Sequence, residues 1–346
     1  MSRKLALLIL LPLLVYASHA QGIKLVKTWI VHVKGKPYSI AIDGLSRTIG
    51  VAGKCAYLLN SEGKEITKVC PKNDTMSSVS SCCGIFVFLS FGAKIYIIKN
   101  NGTVLWKGKF SKEEYHNAVL FDRNGLLFCG RGGCYHMGLK GKEEWRVYAS
   151  LVLNAPAESS IEVRGRRIPV YYIPDIRGRV IIVTKGLVID YLVFDEPIYS
   201  VATCKDLLAV SGKYNVYLYN ISEPFKPKLL WKRGGLDVGF QVAFSPDCKY
   251  LVVTNVVSKD MRVFDVNGNE VAVLSYVSEP NCKAKGTEIR IYTPLSVAWR
   301  DDLLIIGYRE GQVIAFKVEY VGQPREVEKE VVIVPRAQVS FMGALR

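Results

Sequence analysis

The sequence predicts an all-β protein, a seven-bladed β-propeller built from four-stranded antiparallel blades. The first observation is local. Short runs rich in β-branched and aromatic residues alternate with turn residues such as Ser-Pro-Asp and Asn-Gly-Asn, which is typical of an antiparallel meander. The second observation is that this meander recurs about seven times, at a period of roughly 40 residues. Because one such sheet cannot bury both of its faces, the copies are expected to stack in a ring.

The predicted strands follow in the same order in each repeat. Second and third strands, such as TIGVAGK and CAYLLN in the first repeat, recur throughout, whereas a fourth strand is missing from the last repeat. The amino-terminal run from Lys24 to Val33 is predicted to fill that place and close the ring, which leaves no exposed sheet edge there. The competing candidate is Val331 to Val334, in a carboxyl-terminal extension over 320–346. The predicted first strands start near residues 37, 76, 115, 156, 197, 239 and 293.

Two known propeller families are similar to parts of this chain. The stretch from Phe244 to Asp265 resembles a WD-repeat blade, with Phe264-Asp265 where that family usually has Trp-Asp. The repeats that end in Trp106 and Trp145, each after a Gly turn, resemble those of pyrroloquinoline-quinone-type propellers of the quinoprotein dehydrogenase-like superfamily, and Trp231 is a looser instance. The resemblance implies that these tryptophans pack between blades. It implies no function, because propellers serve as scaffolds, receptors, lyases and dehydrogenases.

The amino terminus predicts export. A positively charged start, Ser2-Arg3-Lys4, precedes an apolar run from Leu5 to Tyr16 and then small residues up to Ala20, as in a secretory signal peptide over residues 1–20. The alternative is an uncleaved signal anchor, although the apolar run is short for a membrane span. The remaining chain, 21–346, is expected to be one propeller domain outside the cell or in the cell envelope.

The chain has nine cysteines, and in an exported protein this number predicts disulfides. If the turn of the first repeat centres between residues 62 and 63, Cys55 faces Cys70, and the same arithmetic across residues 130–133 places Cys129 opposite Cys134. Facing residues lie ~4.5 to 5.5 Å apart, within reach of a disulfide. Because the count is odd, at least one cysteine is expected to be a free thiol or to form an intermolecular link, and the alternative for several others is that they are small buried apolar residues.

The adjacent pair Cys82-Cys83 has a counterpart in quinoprotein alcohol dehydrogenases, where a vicinal disulfide lies beside the cofactor. The acidic and Asn ligands that would hold the calcium of that family have no match in this sequence. Three histidines remain after the signal peptide, His32, His116 and His136, and they lack the spacing of metal ligands. Because no nucleophile elbow or phosphate-binding loop is present either, we predict no catalytic residue, no metal and no cofactor.

Positive charge is the remaining feature that bears on function. The formal net charge is +15 and the pI about 9.3, which favours anionic partners but also suits a merely soluble Lys-rich protein. Each predicted turn between a second and a third strand carries a cation, and these turns emerge on one face of a propeller. We therefore predict a cationic ring around one mouth of the central channel, although such turns can favour Lys for conformational reasons alone. Its members are Lys54, Lys94, Arg131, Arg177, Arg179, Lys213, Lys259 and Arg309.

The predicted function is therefore that of an exported, non-catalytic binding or scaffolding module. Its partner would be an unidentified protein, an acidic glycan or another anionic surface, and export makes nucleic acid an unexpected partner. The chain is expected to be a monomer. The alternatives are a quinoprotein-type dehydrogenase and a polysaccharide lyase built on a propeller. A bound quinone would show a near-ultraviolet absorbance band and depend on calcium, which distinguishes the dehydrogenase from a binding module.

Overall fold

The structure, a computed structural model, describes residues 23–109, 116–122, 124–276 and 291–320. In these residues 28 strands form seven antiparallel sheets of four strands each, and the predicted seven-bladed propeller is confirmed. The same residues contain no helix long and apolar enough to cross a membrane. The predicted signal peptide, Val331 to Val334 and the rest of the carboxyl-terminal extension lie outside the described residues, as does Cys282.

Each blade begins at the central channel with its first strand and continues outward through the second. From blade 1 to blade 7, the first strands are β2 (Ser39–Ile42), β6 (Met76–Cys82), β10 (His116–Phe121), β14 (Ala157–Val163), β18 (Ile198–Cys204), β22 (Gly239–Phe244) and β26 (Pro294–Arg300). In the same order, the second strands are β3 (Ile49–Ala52), β7 (Ile85–Ser90), β11 (Gly125–Gly130), β15 (Arg166–Asp175), β19 (Leu207–Gly212), β23 (Tyr250–Asn255) and β27 (Leu303–Tyr308).

The third and fourth strands complete each blade toward its outer rim. The third strands are β4 (Ala56–Leu59), β8 (Lys94–Lys99), β12 (Gly133–Gly138), β16 (Arg179–Thr184), β20 (Val216–Asn220), β24 (Asp260–Asp265) and β28 (Gln312–Tyr320). The fourth strands are β5 (Glu65–Val69), β9 (Val104–Lys109), β13 (Glu143–Val147), β17 (Leu187–Val193), β21 (Lys228–Arg233), β25 (Glu270–Leu274) and, in blade 7, β1 (Ile23–His32).

The amino-terminal strand closes the ring, as predicted. β1 pairs antiparallel with β28, from Ile23 opposite Tyr320 to His32 opposite Gln312, so the first and the last described strands share one sheet. The hydrophobic core then forms seven clusters in the described residues, and each cluster combines side chains of two neighbouring blades. Because the clusters include one between blade 7 and blade 1, apolar packing is continuous around the ring.

Serine hydroxyls connect the inner strands of neighbouring blades. These strands diverge too far to form a backbone ladder, and a buried backbone N–H without an acceptor would be costly. Ser78 Oγ accepts the Val119 N–H at 3.1 Å, and Ser200 Oγ accepts the Val242 N–H at 3.3 Å. Ser80 Oγ does the same for Phe121 at 3.0 Å. The Ser-rich first strands of the sequence are therefore explained by contacts between blades.

A β-bulge interrupts the pairing of the third and fourth strands in all seven described blades. The residue after the bulge is a tryptophan in four of them: Trp29, Trp106, Trp145 and Trp231. Bulges increase the local twist and re-aim the side chains that follow. The repeat signature thus places an aromatic ring where the outer rim of one blade meets the next.

Three of these tryptophans pack against a glycine turn of the next blade. Trp29 lies against Gly63, and Trp231 lies against Gly268. A side chain at Gly186, whose φ is +79°, would have its Cβ only 2.5 Å from Trp145 Cβ, so this turn requires glycine both for its backbone and for the ring beside it. The predicted packing between blades is therefore correct for Trp145 and Trp231.

The same prediction is wrong for Trp106. Its side chain is 47% exposed, and it lies over Gly108 of its own strand. The corresponding glycine of blade 3, Gly141, has no atom within 4 Å of the position its Cβ would take. Trp106 therefore does not pack against that turn, although it has the same place in the repeat as the three packed tryptophans.

Candidate functional site: the face with the cationic turns

Chain direction explains why the predicted cations share one face. In a four-stranded meander the turn between the second and third strands lies at the same end of the sheet as the connection to the next blade. The structure shows this directly, since the Lys54 N–H of the first such turn donates to the carbonyl of Lys34 in the connection before blade 1, at 2.8 Å. We call this side of the propeller the upper face and the opposite side the lower face.

The eight predicted cations all lie on the upper face, but they differ in exposure. Arg131, Arg177, Lys259 and Arg309 are exposed, whereas Lys54, Lys94, Arg179 and Lys213 are half-buried. The exposed members occur in blades 3, 4, 6 and 7, spread around the ring. The turns therefore present cations on the face that the sequence predicted, although the eight side chains are not equally available to a partner.

Several half-buried cations already bind groups of the protein. The Lys54 Nζ donates to the Asp74 carbonyl at 2.8 Å, and the Lys94 Nζ donates to the Lys72 carbonyl at 2.6 Å. The Lys94 Nζ is also 3.8 Å from the Asp74 carboxylate. Both ammonium groups thus tie the second-to-third turn of their blade to the connection between blades 1 and 2.

Asp175 and Arg179 form the most buried ion pair of this face. The Asp175 side chain is fully buried, and its Oδ2 is 2.6 Å from Arg179 Nη2. Burial alone would raise the pKa of Asp175. The hydrogen bonds from Arg179 and from the backbone N–H groups of Ser150, Arg177 and Leu151 outweigh burial, so the pKa of this carboxyl lies below its usual value. The Arg179 guanidinium is therefore already used in a structural ion pair.

Glu196 has a similar structural task in blade 5. Its carboxylate accepts hydrogen bonds from Asn215 Nδ2 at 2.6 Å and from the Tyr217 hydroxyl at 2.7 Å, and it also accepts the Tyr214 N–H. Burial and this carboxylate raise the pKa of Tyr217. The turn that carries Lys213 is therefore held in place by a buried carboxylate.

The central channel is a separate, mostly uncharged site. It contains a cavity of about 390 Å³, and none of the eight predicted cations lines it. Glu158 is the one charged residue in its lining, within the part of the chain that the structure describes. Asn154 and Gln241 meet across the channel at 2.8 Å, where the inner strands begin. The eight cations thus lie on the upper-face turns, outside the lining of this cavity.

The histidines occupy structural positions. His116 is buried, with its ring nitrogens 3.1 Å from the Tyr135 hydroxyl. His136 is also buried, stacks on Trp145 at 5.0 Å and has its Nδ1 3.0 Å from a Glu144 oxygen. His32 is exposed at the end of β1. Among the described residues no group of three or more His, Cys, Asp or Glu side chains is arranged to hold a metal ion.

Both predicted disulfides are present, with Cα atoms 4.1 Å apart in Cys55–Cys70 and in Cys129–Cys134. A third, Cys204–Cys248, joins blade 5 to blade 6 and was not predicted. Three disulfides are consistent with an extracellular protein. Cys82 Sγ and Cys83 Sγ lie 2.9 Å apart, a distance for a hydrogen bond and not for a covalent one, so the vicinal disulfide is absent.

The chain matches no protein-family model and no curated protein. The structure shows a seven-bladed propeller, and the resemblance of its repeats to the WD-repeat and pyrroloquinoline-quinone-type families stays a prediction. No observation among the described residues specifically supports the dehydrogenase alternative or the lyase alternative.

Among the described residues, three further cations that the sequence prediction missed lie on the upper face, in connections between blades. They are Lys34, Lys36 and Lys72, of which Lys34 and Lys72 are exposed and Lys36 is half-buried. The predicted cations all belong to turns between second and third strands, whereas these three lysines belong to connections from a fourth strand to the next blade. Since both emerge on the same face, chain direction was the signal that would have found these residues.

Proposed function

We propose that this protein is an exported binding module that holds an anionic partner on its upper face and carries out no catalysis. The observation that supports this most strongly is the presence of exposed cations on the upper-face turns of four different blades. These are Arg131, Arg177, Lys259 and Arg309. The three disulfides accord with a role outside the cell.

The rigidity of the turns favours binding. A side chain presented by a preorganised turn loses less conformational entropy on binding than one on a mobile loop. Buried carboxylates and interblade hydrogen bonds hold several of these turns, as Asp175 and Glu196 do in blades 4 and 5. A single exposed ion pair is worth only about 0 to 1 kcal/mol, so several simultaneous contacts are needed for useful affinity. A polyanion or anionic surface across this face supplies them.

Charge reversal tests the proposal. The upper-face variant changes Arg131, Arg177, Lys259 and Arg309 to Glu, and leaves out Arg179 because it pairs with buried Asp175. The matched control reverses four exposed lysines in lower-face turns: Lys64, Lys140, Lys226 and Lys249. Both variants change net charge equally. The experiment measures the salt concentration that elutes each protein from carboxylated and sulfated polysaccharide matrices, and flotation with anionic vesicles.

We expect the upper-face variant to elute at much lower salt than the wild type, and the control close to the wild type, because ionic contacts weaken as salt screens them. Equal losses in the two variants would show that binding depends on net charge alone. A wild-type protein that binds none of the anionic probes at low salt would overturn the proposal.

A further inference from the structure

We infer that the partner is a linear acidic polysaccharide that lies along one arc of the upper face, formed by blades 7, 1 and 2. This inference rests on the proposed function and specifies the site and the class of partner. The basic arc, as we name it, consists of six side chains, of which three come from connections between blades and three from turns. They are Lys34, Lys36, Lys54, Lys72, Lys94 and Arg309.

Hydrogen bonds show that the basic arc is continuous across the three blades. The turn after Arg309 is joined to the start of the next connection by the Val33 N–H, which donates to the Gly311 carbonyl at 2.9 Å. That connection contains Lys34, whose carbonyl accepts the Lys54 N–H. The Lys54 side chain reaches Asp74, as described above, and Lys94 reaches Lys72 of the same connection. Each cationic segment therefore touches the next.

The basic arc contains few carboxylates, and those it contains accept hydrogen bonds from the protein. The arc contains Asp74 and Glu310 among its described residues. Asp74 accepts the Ser90 hydroxyl at 2.7 Å, and Glu310 accepts the Thr293 N–H at 3.0 Å. Six cations against two carboxylates leave this arc strongly positive.

The upper face of blades 4 to 6 has a different balance. Within the described residues, its turns and connections carry four cations, Arg177, Arg179, Lys213 and Lys259, against five carboxylates. The carboxylates are Asp175, Asp195, Glu196, Asp237 and Asp260. A fifth cation, Arg233 at the end of β21, donates its Nε to the Gly268 carbonyl in a lower-face turn at 2.6 Å. Among the described residues, the positive charge of the upper face is therefore concentrated on the side of blades 7, 1 and 2.

The surroundings of the arc favour a polysaccharide over a membrane. Membrane-surface proteins insert apolar side chains beside their basic residues. No large hydrophobic side chain in the arc segments 33–38, 53–55, 71–75, 91–94 and 309–311 is exposed. The exposed ones in the described upper-face turns and connections, such as Tyr148, Tyr214 and Val257, lie outside these segments. A flat membrane that touched both regions would also press the carboxylates of blades 4 to 6 against anionic headgroups.

A single-stranded nucleic acid fits the arc less well, because its binding sites combine cations with aromatic rings on which bases stack. The two aromatic residues of the arc segments, Tyr38 and Phe91, are half-buried and pack edge to face with ring centres 5.3 Å apart. Five of the six cations are lysines, which act as hydrated point charges and need no planar bidentate acceptor. Carboxylate or sulfate groups repeated along a flexible sugar chain can pair with such a row of lysine ammonium groups.

The test compares two triple charge reversals on the same face. The arc variant is Lys34→Glu, Lys36→Glu and Lys72→Glu, three side chains for which the structure shows no hydrogen bond from Nζ. The matched control is Arg177→Glu, Lys213→Glu and Lys259→Glu on blades 4 to 6. Calorimetry or fluorescence anisotropy measures the binding of linear polyuronate, vesicles with anionic phospholipid and a single-stranded DNA oligomer, and thermal unfolding checks that all proteins are folded.

We expect the wild type to bind polyuronate more tightly than the other two probes and the arc variant to lose about tenfold or more in affinity at low salt. The control removes cations that also attract the polyanion, and we expect it to lose affinity too, but less than the arc variant. Equal losses in the two variants, or a wild type that prefers vesicles or DNA, would overturn the inference while the proposed function stands. A wild type that binds no anionic probe would overturn both.

Discussion

Gln241 Nε2 donates a hydrogen bond to Asn154 Oδ1 over 2.8 Å, and this bond joins blade 6 to blade 4 across the central channel. Gln241 Oε1 accepts the Val297 N–H of blade 7 at 2.9 Å, and Asn154 Nδ2 donates to the Phe240 carbonyl at 2.8 Å. One amide pair therefore ties three blades together at the upper end of the channel. Since both amides are used in the fold, we place the partner on the surface around the channel.

The first prediction follows from this pair. Replacing Gln241 by Ala leaves the Val297 N–H and the Asn154 Oδ1 without their partner, and each unsatisfied buried group costs about 1 to 3 kcal/mol. We expect the free energy of unfolding, measured with urea, to fall by roughly 3 kcal/mol. Gln241→Glu keeps the acceptor for Val297 but loses the donor to Asn154.

A double-mutant cycle with Asn154→Ala checks the coupling. Residues that share a hydrogen bond show interaction energies of about 0.5 kcal/mol or more, whereas independent sites are additive. Strict additivity of the two alanine substitutions would show that the bond across the channel contributes nothing to stability.

The second prediction ranks the three disulfides. In the chain-entropy description a disulfide stabilises the fold in proportion to the logarithm of the loop that it closes. The separations are 44 residues for Cys204–Cys248, 15 for Cys55–Cys70 and 5 for Cys129–Cys134. Replacing each pair by serine should therefore cost about 4, 3 and 2 kcal/mol in that order. Urea unfolding midpoints measure this, and a largest loss for the shortest loop would contradict it.

The third prediction contrasts two tryptophans that have the same place in the repeat. Trp145 packs on Gly186 and stacks with His136, so Trp145→Ala should remove roughly 3 kcal/mol of stability. Trp106 is nearly half-exposed, and Trp106→Ala should cost less than about 1 kcal/mol. Thermal unfolding of the two variants measures the difference, and equal losses would show that burial against the next blade is not what makes Trp145 important.

The strands of this fold could be predicted because every blade repeats the same order of apolar runs and turn residues. The pairing of Cys55 with Cys70 is more instructive. The hairpin itself centres on residue 62, since the Asn60 N–H donates to the Lys64 carbonyl. The bulge between Leu58 and Leu59 then shifts the register by one residue. Beyond the bulge, facing residues are therefore centred between residues 62 and 63, which is the predicted centre and the one that applies to Cys55 and Cys70.

Contacts between blades were harder to predict from the sequence than contacts within them. Cys204 and Cys248 lie 44 residues apart, close to one repeat period, and both occur where a first strand ends. Comparing equivalent positions in neighbouring repeats would have found this pair. Asn154 lies in the connection before blade 4 and Gln241 lies in β22 of blade 6. The two residues are 87 positions apart, and no local pattern links them. The uneven charge of the upper face depended likewise on carboxylates in several connections.

The last prediction concerns acid. The pKa of Asp175 is lowered in the folded protein, so its ionised form is more stable there than in the unfolded chain, where the pKa is about 3.9. The stabilisation is therefore complete above this unfolded value and is lost as the pH falls through the lower folded value. Asp175→Asn should lower the free energy of unfolding by about 2 kcal/mol at neutral pH. The same substitution should make the free energy of unfolding fall less steeply as the pH is lowered.

Urea unfolding at a series of pH values measures this effect. Asp195→Asn is the matched control, because Asp195 is an exposed carboxylate of the same blade's upper-face connection and its replacement should change stability little. The two variants differ from the wild type by the same charge. If they had the same pH dependence of stability, the acid sensitivity would come from net charge, and the buried pair of Asp175 and Arg179 would have no special part in it.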